Sequence, residues 1–473
     1  MLDNSSKSSN MKLNKNVELL LGDYKKAVIK LSIPNMIAML IQTLYNLVDA
    51  VWVAGLGPSS LAGMGLFFPI YMIVISIATG IAVGTSSAIA RRIGAKDFEG
   101  ANSVAEHSII LAIIVGFLTT VIGILSLGFV LKFTNASEIA IQKAKDYGSI
   151  IFLSSIFTMF NNSAIGILRG EGDSKRPMYI VLFSSVLNMV LDPIFIYTFN
   201  LGIKGAAWAT NISIFVASAI LLYLLIFSRK TFLNVTFKDF SLDRKILYDI
   251  SIVGFPTALA QITMSVAIYF LNFFASKAAG DLGVATFTGA WRIINLGTLT
   301  IIGVSSAVTT VTGAAYGAKD IKKLEGALNY AIKFAEYFAI GTMLGIFFFS
   351  KPLALMFSYS KSSSLLLENV SQALKLLCLF LPGTPFGMLT SGMFQGIGHG
   401  YKSLVTTILR TIIFQVFWTW LFVNGFKMGL IGVWLGIVIG NTTASIITYT
   451  WGKITIKKLY FAYAQHTHTL SED

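Results

Sequence analysis

The chain has 473 residues, of which 55% are hydrophobic and 12% charged, and its formal net charge is +14. So little charge cannot cover a soluble surface of this length, which excludes an ordinary globular enzyme. The single cysteine, Cys378, excludes intramolecular disulfides and CxxC-type structural zinc sites.

Residues 1–26 are polar and Lys-rich, too hydrophilic for a signal peptide, and read as a cytoplasmic N-terminal tail. Twelve apolar segments follow, at 27–54, 61–89, 102–130, 144–168, 177–199, 205–228, 250–277, 284–311, 326–350, 369–396, 402–424 and 430–452. In lipid every backbone N–H and C=O must be paired, so spanning segments are helices or barrel strands. These runs are apolar on all sides rather than alternating, so helices are expected. The division is an N-lobe at 27–228, a cytoplasmic linker at 229–249, a C-lobe at 250–452 and a cytoplasmic tail at 453–473. Lys and Arg favour the tails and even-numbered connections by roughly three to one, which places both termini in the cytoplasm of a multi-pass cell-membrane protein. That loop bias accounts for the positive charge. Between spans the longest hydrophilic stretch, 228–249, is too short for a nucleic-acid-binding domain, so no nucleic-acid partner is expected.

The chain repeats itself. "RRIGAKDFEGA" at 91–101 matches "AYGAKDIKKLEGA" at 315–327, "LRGEGDSKRP" at 168–177 parallels "FQGIGHGYKS" at 394–403, and "LGIKGAAWAT" at 201–210 parallels "MGLIGVWLGI" at 428–437. The offset is nearly constant, so two six-helix bundles in the same orientation are expected, related by a pseudo-two-fold axis along the membrane normal.

Ionisable side chains in mid-membrane are costly and mark function. Two acids lie deep, Asp49 in span 1 and Asp192 in span 5, and the C-terminal half has no counterpart to either. Gln42, Asn46 and Asp49 are spaced i, i+4, i+7 and share one helix face; Asn188 lies one turn before Asp192. Pro193 cannot donate a backbone hydrogen bond and so frees the carbonyl of Met189. Carboxylates, amide oxygens and a freed carbonyl suit Na⁺, with Thr210 and Asn211 completing the shell, and the same cluster could carry a proton. Helix-to-helix hydrogen bonding is the competing reading of the amides. Tyr147, Asn161 and Asn162 give span 4 a polar face towards a substrate cavity, and Met64 and Met264 are candidates for an adaptable apolar lining. Pro34 in span 1 is a candidate hinge or a fixed kink. Arg292 and Arg410 are expected to snorkel or pair at the cytoplasmic side. Walker A, HExxH and GxSxG sequences are absent, so neither an enzyme nor an ATP-driven pump is expected, and no cofactor beyond a coupling ion.

These motifs together resemble the multidrug and toxic compound extrusion (MATE) transporters, most closely their prokaryotic DinF-like branch. The resemblance rests on Pro34, Gln42, Asn46 and Asp49 ahead of "AVWVAGLG", "RRIGAKD", "LRGEGDSKRPMY", "LNMVLDPIFIY" and "GIKGAAWAT", and covers nearly the whole chain. It implies a V-shaped pair of six-helix lobes and antiport coupled to Na⁺ or H⁺. The implied cation site is Asp49, Asn188, Asp192 and Thr210, with Tyr147 nearby. The NorM-like branch also uses acids in the C-terminal lobe, which this chain lacks. The expected function is efflux of amphipathic organic cations by a monomer in contact with membrane lipids. The alternative is a lipid or lipid-linked oligosaccharide flippase of the same superfamily, which a basic central cavity would favour.

Overall fold

The computed structural model describes residues 14–134, 136–228, 230–238, 240–355 and 364–469. Parts of the two expected tails, 1–13 and 470–473, lie outside the described residues. Among those described there are helices and no strand, as apolar runs without alternation require. The spanning helices are α1 (Tyr24–Ala54), α2 (Pro58–Gly94), α3 (Phe98–Lys132), α4 (Glu138–Leu153 and Ser155–Gly170, bent by 49°), α5 (Lys175–Thr198) and α6 (Ile203–Phe227). A continuous run, Arg244–Gly317, breaks at Ala279 and Gly280, where φ is −154° and 59°, into α7 (244–279) and α8 (280–317). Then come α9 (Ile321–Phe348), α10 (Leu366–Leu377 and Phe380–Gly396, bent by 48°), α11 (Gly400–Gly425) and α12 (Gly429–Tyr463). These are the twelve expected spans, and α1–α6 and α7–α12 form the two lobes of the V. The helices overrun the apolar segments. Lys15–Leu21 is already helical ahead of α1, and α12 continues past residue 452, where Lys453 Nζ lies 2.6 Å from Glu325 Oε1 on α9.

The internal repeats are the joints between helices. In "GAKD" the lysine takes a left-handed conformation, φ 60° at Lys96 and 58° at Lys319. The following aspartate caps the next helix: Asp97 Oδ1 accepts from Gly100 N–H at 2.9 Å, and Asp320 Oδ1 from Lys323 N–H at 2.8 Å. Each cap satisfies a backbone N–H that a helix start otherwise leaves free. In the second repeat pair Gly172 and Gly398 sit at φ 86° and 82°, where a side chain would be strained.

The lobes meet along one half of α2. A Cβ on Gly80 or Gly84 would strike the backbone of Gly254 or Ile250 on α7, and one on Gly94 would strike the Ala314 carbonyl on α8. Small residues permit this backbone approach, a common helix contact in membranes. Hydrogen bonds reinforce it. Ser86 and Thr310 hydroxyls are 3.2 Å apart, and the Ser87 hydroxyl donates to the Gly396 carbonyl at 3.2 Å. At the end of α2, Arg92 Nη1 lies 2.9 Å and Arg91 Nη2 3.6 Å from the carboxylate of Asp249 on α7. These ties set the apex of the V beside the α2–α3 and α8–α9 joints. Pro34 is buried within α1, and the helix runs through it.

Candidate ion and substrate site

Helices α1, α2, α4, α5 and α6 enclose a cavity of about 150 Å³ inside the N-lobe. At its edge lie the two deep acids. Asp49 is 3% exposed and Asp192 is fully buried, although they come from separate helices. Their carboxyl groups hydrogen-bond each other. Two carboxyl groups in such contact hold a proton or a cation between them, because two bare negative charges would repel.

Asn188 fixes Asp192. With its amide turned to satisfy both neighbours, Nδ2 donates to Asp192 Oδ2 at 3.1 Å, while Oδ1 accepts from Thr210 N–H at 3.1 Å and from its hydroxyl at 3.3 Å. Asn188 thus bridges α5 and α6. In that orientation its oxygen accepts two hydrogen bonds while its nitrogen holds the carboxylate. Asp49 Oδ1 is buried and accepts no hydrogen bond among the described residues. It is the open acceptor of the cluster. After Pro193 the helix widens: Phe199 N–H donates to the Ile194 carbonyl five residues back, at 2.9 Å. Such π turns recur at functional sites.

Three tyrosines surround the acids. The Tyr45 hydroxyl lies near Thr210 and feels both aspartates. Tyr71 feels Asp49, and Tyr147 feels Asp49 and Asp192. Carboxylates with aromatic faces form a surface that attracts a desolvated organic cation. Tyr147 was expected here from the sequence; Tyr45 and Tyr71 were not. Tyr45 carried a signal, since it lies one helical turn before Asp49. Tyr71 carried none that separates it from ordinary packing.

The structure divides the other candidates. Gln42, Asn161 and Asn162 line the N-lobe cavity. Asn161 is also tied down, donating to the Ile214 carbonyl at 3.1 Å and accepting from the Ser218 hydroxyl at 2.8 Å. Asn162 donates to the Thr158 carbonyl of its own helix. Asn46 is exposed and does not line this cavity, although it shares the sequence face of Asp49. Met64 is half-buried in the apolar cluster around Phe67 and Tyr147. Asn211 donates to the Ile150 carbonyl at 2.6 Å and so joins α6 to α4. Met264 lines a second cavity of about 180 Å³ between the lobes. Arg410 lines it too. It is 8% exposed with no acidic partner among the described residues, so it neither snorkels nor pairs as expected.

The family model MatE matches residues 34–194 and 256–421, one segment in each lobe. The chain belongs to the MatE family. This makes it a polytopic membrane protein of a transporter family. It is 26% identical over 442 residues to a probable multidrug resistance protein NorM of Thermotoga maritima, covering 91% of the chain and 93% of that protein. It is 25% identical to the multidrug export protein MepA of Staphylococcus saprophyticus, covering 89% and 92%. Among solved structures it is similar to a MOP superfamily transporter from Pyrococcus furiosus, at 48% identity and a TM-score of 0.93, covering 95% of this chain and 99% of that one. That transporter is described as having a binding pocket of reverse polarity that suggests a different function. The same identity, coverage and TM-score relate this MatE chain to an outward-facing multidrug resistance MATE transporter.

Proposed function

We propose that this MatE protein is an ion-coupled antiporter that exports small amphipathic organic cations by alternating access. The observation that carries the reading is the buried Asp49–Asp192 pair, held by Asn188 and Thr210 at the edge of a cavity with an aromatic and amide lining. A mid-membrane carboxyl pair is costly unless its charge changes during the cycle. An organic cation and the coupling ion would compete for the same negative charge, which is the requirement of antiport. A proton fits the arrangement best. The carboxyl groups already touch, and the Asn188 oxygen that would complete a Na⁺ shell is engaged by Thr210. The multidrug names of the relatives support the substrate class. The basic bias of the even-numbered connections supports a cell membrane location with both termini cytoplasmic, so the V opens outward. In this reading the protein works as a monomer.

The test is efflux of a fluorescent organic cation from proteoliposomes under a pH gradient and, separately, a Na⁺ gradient. Efflux driven by the pH gradient and abolished in Asp49→Asn, with the variant inserted in equal amount, is expected. Undiminished efflux in Asp49→Asn would remove the acid pair from coupling. Efflux driven by Na⁺ alone would reassign the ion.

A further inference from the structure

The cavity between the lobes has a polarity opposite to that of the N-lobe cavity. Its lining holds two cationic side chains, Arg169 near the end of α4 and Arg410 on α11, and no acid. Neither guanidinium has an ion-pair or hydrogen-bond partner among the described residues, and Arg169 Nε is buried without an acceptor. Nearby charges are committed elsewhere. Asp249 holds Arg91 and Arg92, and one oxygen of Glu171 accepts from the backbone of Phe232 and Leu233. The deep aspartates lie at the edge of the other cavity, beside Asn188. Arg410 also sits on a π turn, Leu409–Phe414, which re-aims side chains from a helix.

A buried cation without a counter-charge is unfavourable, and two of them line this one cavity. An oxyanion in this cavity offsets that penalty, and guanidinium groups match phosphate and carboxylate geometry with paired N–H donors. Gln261 and Ser306 line the same space as further polar contacts. Met39, Met264, Met388 and Ile302 supply an apolar wall beside them. We propose that the inter-lobe cavity, through Arg169 and Arg410, binds the oxyanion group of a phosphate or carboxylate ligand, with the methionine wall taking an attached hydrocarbon chain. The inference goes beyond cation export and does not need it, since it assigns a second ligand of opposite charge to a separate site.

The oxyanion could come from an amphiphile's headgroup or from a free ion, and titration separates these sources. The full chain, in nanodiscs of zwitterionic lipid without an ion gradient, is titrated calorimetrically with monooctyl phosphate, octyltrimethylammonium and inorganic phosphate. Monooctyl phosphate is expected to bind at one equivalent. Its affinity should fall tenfold or more in Arg169→Gln and in Arg410→Gln, with partial retention in Arg410→Lys. Weak inorganic phosphate binding would assign an amphiphile headgroup; equal affinity would assign a free-anion site on the same arginines. Monooctyl phosphate affinity unchanged in both glutamine variants, or equal competition by octyltrimethylammonium, would overturn the proposal. Thermal unfolding of each variant controls for folding. The lysine variant keeps the charge if a glutamine variant fails to fold. Because no gradient is applied, the result stands apart from the coupling assay at Asp49.

Discussion

At the residue scale, the acids were legible because carboxylates are rare in apolar helices and cannot be confused with packing. Asp49 and Asp192 could be named from the sequence, but their contact could not, since it depends on how α1 meets α5. Tyr45 and Tyr71 were hidden among residue types that fill membrane helices for other reasons. Arg169 was hidden by a boundary: one residue beyond the apolar run, it read as part of a connection. Asn188 illustrates how spacing finds a residue without finding its partners. Spacing placed it beside Asp192, but only the fold brings Thr210 within reach of the same amide. Asn188→Ala would leave an Asp192 oxygen without its donor and the Thr210 hydroxyl without its acceptor. Transport by that variant should fall roughly tenfold, as for other groups that orient a ligand from behind. Asn188→Ala proteoliposomes with a wild-type transport rate would show that the bridge is dispensable.

At the element scale, the twelve helices and the duplication were readable because each repeat is a local device: a left-handed residue at a joint, followed in "GAKD" by an aspartate cap. The fit between helices was not readable, because it arises where distant glycines meet. Gly94 on α2 faces the Ala314 carbonyl, and Gly317 on α8 faces the Arg91 carbonyl, a reciprocal crossing at the apex of the V. The listener to this contact is backbone, which cannot rotate away as a side chain would. Gly94→Ala should therefore force the lobes apart at the apex and lower stability by about 1–3 kcal/mol, the usual cost of overpacking. Thermal unfolding in detergent checks this. An unchanged midpoint would mean that the lobes separate at the apex without loss. Gly65, with open space around its Cβ position, is the matched control in the same helix, and Gly65→Ala should leave the midpoint near that of the wild type.

At the scale of the whole molecule, the segment between the lobes is fastened to the N-lobe by its backbone. Glu171, at the end of α4, accepts from Phe232 N–H at 3.0 Å and Leu233 N–H at 3.1 Å. Asn102 accepts from Asn234 N–H at 2.9 Å, and His107 Nε2 accepts from Asp243 N–H at 2.8 Å, just before α7 begins. Any movement of one lobe against the other pulls on this strap. Glu171 is buried, and burial lifts its carboxyl from the ordinary 4.5 to about 8; the two N–H donors oppose that rise only in part. The folded chain thus holds a proton that the unfolded chain releases between those values. The Glu171 part of the fastening is complete below about 4.5 and weakens as pH rises through about 8. Hydrogen exchange at Phe232 and Leu233, corrected for the intrinsic effect of pH, should show protection falling between pH 6 and 9. Glu171→Gln keeps an acceptor for both N–H groups and cannot ionise, so it should hold protection level across the same range. That variant also subtracts every other group that titrates in the window. Equal pH dependence in the two proteins would assign the loosening to another group, and flat protection in the wild type would mean that the strap does not respond to pH.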